Sequence, residues 1–168
     1  YSTSTAYTFC HHARSPSTGV ITASTDTTFV YSPTRIVVST DNKNVYISAN
    51  DTGFTNRVYQ YSRNLSSGDI TPCTPAYVQH TLTSYGPPTT GMVCAPTDFY
   101  ILVGITAPGG TYYIGEYSRN LTTGLLSYTG AVAAPSSGLI QIIASSDSNF
   151  VYANGSNVTP KILQYFIV

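Results

Sequence analysis

Charge is what this sequence has least of. Seven Lys and Arg face seven Asp and Glu, so only 8% of residues carry charge and the formal net is zero. A typical soluble domain has about 25%. Nucleic acid and anionic membrane surfaces both demand clustered Lys and Arg, so they are excluded as partners. Tryptophan is absent, and no run approaches the ~20 apolar residues of a membrane-spanning helix. Cysteine is limited to Cys10, Cys73 and Cys94. Their spacing fits no metal site, and an odd number leaves at least one thiol over.

In place of charge the chain carries Ser, Thr, Asn and fifteen Tyr among its 168 residues. That hydroxyl-rich, neutral composition suggests a secreted or cell-surface protein. The chain opens on Tyr1 with no charged-then-apolar leader, as a processed chain or part of a longer one would.

The most informative feature is repetition. YSRNLSSG begins at Tyr61 and YSRNLTTG at Tyr117, and HARSPSTG from His12 aligns with both on its arginine and glycine. Before each lies an alternating run (AYTFC, RVYQYS, TYYIGEYS), and KILQYFIV from Lys161 resembles that run once more. The period is about 50 residues. Within it the pattern predicts four short strands: IVVS, NVYISA, RVYQYS and DITP in the first full repeat. β-branched and aromatic residues alternate along these segments, and Asn, Asp, Gly and Ser separate them. No helical stripe of useful length occurs.

Four strands every 40–50 residues is the pattern of β-propeller blades. The stretch from Ser39 to Pro72 resembles a blade of the YVTN or lactonase-like propeller family, on Asp41, Val45, Tyr46, Tyr61, Ser62, Gly68 and Ile70. SSDSNFVYANG and YSRNLTTGLLS match its two halves, whereas CAPTDFYILVG shortens the Asp-Gly turn. The expected fold is all-β, with one partial propeller domain over 1–168. Its repeats fall at about 1–26, 27–78, 79–134 and 135–168, with innermost strands near 35–39, 91–95 and 139–144. About thirteen strands are too few for a closed ring by one chain. The expected partner is a second copy or further blades of the same polypeptide.

Five N-glycosylation sequons begin at Asn50, Asn64, Asn120, Asn154 and Asn157, and the turn pattern places them in turns, where a glycan is tolerated. The repeated Arg14, Arg63 and Arg119 have two readings. They bond turn carbonyls or a neighbouring blade, or they form a ring that grips acidic sugars. Asp41 and Asp147 sit where a turn is capped. The innermost strands offer Arg35 at an entrance but no acid–base pair, so no catalytic residue, metal or cofactor is assigned. The expected function is therefore an extracellular, glycosylated structural or assembly subunit, such as a surface-layer, sheath or filament component, without catalytic activity. A carbohydrate-binding propeller lectin is the alternative, possible glycan partners included, and a lactonase-like enzyme the third reading.

Overall fold

The computed structural model of the chain describes residues 7–15, 17–29, 31–50, 56–80, 91–107, 110–134, 139–155 and 162–166. Thirteen strands are described. The first sheet is the hairpin β1 (Tyr7–Arg14) and β2 (Ile21–Phe29). The second holds β3 (Ser32–Val38), β4 (Asn44–Asn50), β5 (Asn56–Arg63) and β6 (Ile70–Gln79). The third holds β7 (Met92–Cys94), β8 (Tyr100–Thr106), β9 (Tyr112–Arg119) and β10 (Leu126–Ala134). The last holds β11 (Leu139–Ala144), β12 (Phe150–Gly155) and β13 (Ile162–Phe166). Every neighbour pair is antiparallel and sequential, the meander of propeller blades, and the sheets do not close a ring among the described residues.

The period-two alternation explains how the sheets stack. In the central sheet, Ile101, Val103, Tyr117 and Leu126 point one way. They meet Tyr46 and Val58 of the second sheet. Leu102, Ile114 and Ala134 point the other way and meet Ile142, Val151 and Ala153 of the last sheet. The core is therefore a set of apolar seams between blades rather than one central cluster.

Two kinds of turn recur at one end of the sheets. Between the first and second strands of each blade, Asn42, Asp98 and Ser148 adopt φ of 61°, 64° and 60°. Each donates its N–H to a residue three places back, Ser39, Ala95 and Ser145. Between the third and fourth strands, Gly19, Gly68 and Gly124 have φ of 72°, 83° and 74°. Here Gly68 N–H bonds Asn64 O and Gly124 N–H bonds Asn120 O. Asn64 Oδ1 also accepts the N–H of Ser66 and Ser67, and Asn120 Oδ1 accepts those of Thr122 and Thr123. The repeated octapeptide is thus an Asn-anchored turn that only glycine closes without strain.

Some expectations shift. The innermost strands span Ser32–Val38, Met92–Cys94 and Leu139–Ala144. The outer strand β6 passes Pro72 and runs on to Gln79, its residues mostly exposed, as suits an edge that need not donate every N–H. Asn154 lies inside β12, half-buried, and Asn50 closes β4, so these two sequons are in strands rather than turns. The alternation of β-branched and aromatic neighbours outweighs Asn as a turn signal there. Asn157 lies outside the described residues.

Candidate functional site

The densest polar cluster lies in the seam between the second and third sheets. Arg119 ends β9, and the turn that follows swings it across the seam toward the β3–β4 turn; the side chain is 1% exposed. Its Nε donates to Tyr46 Oη at 2.8 Å. Nη2 donates to Asp41 Oδ1 and Oδ2 at 3.1 and 3.0 Å and to Asn44 Oδ1 at 2.7 Å. Nη1 forms an ion pair by distance with Asp98 Oδ2, 3.0 Å away. Tyr46 Oη in turn donates a hydrogen bond to Gly124 O at 2.7 Å.

The two carboxylates are held from both sides. Asp98 Oδ1 accepts Thr40 N–H at 2.8 Å and Oδ2 accepts Asp41 N–H at 3.0 Å. Asp41 Oδ1 accepts from Ser39 Oγ at 2.6 Å and from Lys43 N at 3.1 Å, the expected turn cap. Burial alone would raise both carboxyls. For Asp41, Ser39, Lys43 and Arg119 outweigh it and bring the pKa down to about 2. For Asp98, the Cys94 thiol and the N–H groups of Thr40 and Asp41 outweigh it and keep the value low. Cys94 Sγ lies 3.1 Å from Asp98 Oδ1, and burial followed by this carboxylate pushes its pKa up to about 12. The thiol is protonated and is no nucleophile near neutrality.

Chemically the cluster is a clamp. Each carboxylate is ionised and each already accepts three or more donors, so neither is poised as a general base. Arg119 therefore bonds a neighbouring blade, its Nε and Nη2 donating to protein acceptors while Nη1 lies within ion-pair distance of Asp98 without a hydrogen bond. Arg63, at the same place one blade earlier, donates instead to Asn42 O at 3.3 Å, which is the turn-carbonyl reading. Arg14 ends β1. Asp147 caps its own turn through Ser145 Oγ and Asn149 N–H.

Along the innermost strands β3, β7 and β11, Arg35 is the one charged side chain. It is exposed, with Nη1 bonded to Thr34 O at 2.7 Å. Among the described residues no group of three His, Cys, Asp or Glu could hold a metal ion. Cys73 and Cys94 are free thiols. Sequence reasoning missed a second arginine site: Arg57, whose guanidinium lies 4.3 Å from the Tyr77 ring centre and 6.0 Å from that of Tyr31. Tyr59 stacks on Tyr31 at 5.5 Å. The available signal was a break in the repeat, since Tyr113 stands one blade on from Arg57.

No protein-family model and no curated protein matches the sequence. Solved structures do. A candidate 6-phosphogluconolactonase from Bacteroides uniformis superimposes with a TM-score of 0.72 at 16% identity, covering 95% of this chain and 44% of that one. A protein from Lactobacillus plantarum gives 0.69 at 14% identity, covering 96% and 48%. The chain thus spans just under half the length of these structures, and at such identities the likeness is one of fold. The lactonase-like propeller resemblance holds for the fold. The expectation of a structural, filament-forming subunit without catalytic activity is overturned by this comparison, in which the first matched protein bears the name of an enzyme.

Proposed function

We propose that the chain supplies blades of a lactonase-like β-propeller enzyme that opens a sugar-derived lactone by adding water. One observation carries this reading: the backbone match, over 95% of the chain, to a candidate 6-phosphogluconolactonase. The YVTN assignment belongs to the same proposal and rests on Asp41, Val45, Tyr46, Tyr61, Ser62, Gly68 and Ile70.

Lactone opening needs a base for the attacking water, donors for the developing oxyanion, and a grip that fixes the sugar. In this reading Arg35 provides the grip. It is an exposed guanidinium on an innermost strand, where a planar fork suits phosphate or carboxylate. The three innermost strands carry no carboxylate or histidine, so the base comes from outside them.

The test is lactone loss, followed by hydroxamate formation, with 6-phosphogluconolactone and with its unphosphorylated counterpart. Faster loss of the phosphorylated lactone is expected. Arg35→Ala should raise KM about tenfold and leave kcat nearly unchanged, the mark of lost uniform binding. No rate above buffer for either lactone would overturn the reading.

A further inference from the structure

Two sheets of this chain present the same surface in the same register. Tyr46 pairs with Val37 and Gln60, and Tyr152 pairs with Ile143 and Gln164. Ser48 pairs with Val58 as Asn154 pairs with Ile162, and Asp41 and Asp147 both cap the intervening turn. Val37, Asp41, Tyr46, Val58 and Gln60 thus correspond to Ile143, Asp147, Tyr152, Ile162 and Gln164.

The first set is occupied. Val37, Tyr46 and Val58 pack on the central sheet, Asp41 binds Arg119, and Tyr46 bonds Gly124 O. Gln60, fully buried, accepts the Leu126 N–H at 2.7 Å. The second set is open. Ile143 and Ile162 are 50% and 65% exposed, Asp147 and Gln164 are exposed, and Tyr152 is half-buried.

The chain also carries a second edition of what fits that surface. Arg14 pairs with Ile21 as Arg119 pairs with Leu126. Ser15 N–H bonds Val20 O and Gly19 N–H bonds Ser15 O, as Asn120 N–H bonds Leu125 O and Gly124 N–H bonds Asn120 O. Leu126 is 5% exposed in its seam, whereas Ile21 is 66% exposed. Socket and plug therefore sit on the last and first sheets of one chain. The charges of Arg14 and Asp147 are opposite in sign.

We propose that the open face of the β11–β13 sheet docks the β1–β2 hairpin of a second copy of this chain. Asp147 and Tyr152 receive Arg14, Tyr152 bonds Gly19 O, and Gln164 accepts the N–H of Ile21. Each copy uses a different surface on its partner, so the contact is head-to-tail, and two such contacts close a ring of two.

Sedimentation velocity over a hundredfold range of concentration tests it. The expected mass is twice the 18.0 kDa of one chain and no more. Asp147→Arg and Arg14→Asp should each weaken pairing by about thirtyfold or more, and the two changes combined should restore it to within about threefold. Ile162→Asp should weaken it comparably without touching the charge pair. Circular dichroism on each variant checks that the β signal is kept. A monomer at all concentrations, or association that these variants leave unmoved, would overturn the proposal; failure of the charge swap would overturn the Arg14–Asp147 pairing.

Discussion

The two seams that flank the central sheet are built on one plan and held together differently. In the first, the Asp98 carboxylate reaches back to two N–H groups, Thr40 and Asp41, and shares Arg119 with Asp41. In the second, Ser148 occupies the place of Asp98 and its hydroxyl accepts one N–H, that of Thr97, at 3.0 Å. The residue in the place of Thr40 is Pro96, which has no N–H to offer. Thr97 likewise stands where Asp41 stands. The exchange of Thr40, Asp41 and Asp98 for Pro96, Thr97 and Ser148 thus changes the polar contacts at a seam, while the backbone bonds of the turns are unchanged.

The largest expected effect comes from removing the ion that organises the first seam. Arg119→Ala leaves two carboxylates facing each other without a cation, and should cost about 3–5 kcal/mol in urea unfolding. The same variant sharpens the comparison through pH. Both carboxyls lie below their ordinary value of 3.8 in the folded chain, so the stability they carry is full above that value. It drains as pH falls toward about 2, the value for Asp41. Acid titration of stability should show this loss in the parent chain and a somewhat shallower one in Arg119→Ala, because Arg119 is one cause of the low Asp41 value while Ser39 and Lys43 keep their own contributions.

A smaller effect is expected from Asp98→Ser, which copies the second seam into the first. It removes one charge and one of two acceptors, for about 2 kcal/mol by the same measurement. The reverse change, Ser148→Asp, should move stability by only about 0.5 kcal/mol, because Pro96 gives the carboxylate no second N–H. Equal costs for the two exchanges would show that the seams do not differ in the way their geometry implies.

Much of the fold was legible because the repeat writes it three times. The third strands β1, β5 and β9 end in Arg, the turn after each ends in Gly, and the strands alternate between them. One periodic signal thus reinforced another at Arg14, Arg63 and Arg119. The Asp41 and Asp147 turn caps were readable for the same reason. What could not be read was which side chains meet across a seam. Asp98 sits where the other blades carry Asn42 and Ser148, in the stretch where the blade pattern is weakest, and its partners lie 57 and 58 positions away. His80, just past the end of β6, is 3% exposed, and its ring centre lies 6.2 Å from that of Tyr128. Such burial is set by neighbouring sheets rather than by local pattern. The expectation of a subunit without catalysis rests on an absence, innermost strands that carry no acid–base pair, and such an absence says nothing of groups supplied from elsewhere.

The strand β8 is buried from Ile101 through Thr106 and is bonded to β7 on one side and β9 on the other. Its amides can meet water only when the central sheet opens or a flanking sheet peels away. Opening is therefore ordered in time, from the outer sheets inward, and β8 should be the slowest segment to take up deuterium. Tightening the Arg119 clamp would lengthen that protection on one flank, leaving the seam with Ser148 as the side from which the molecule comes apart.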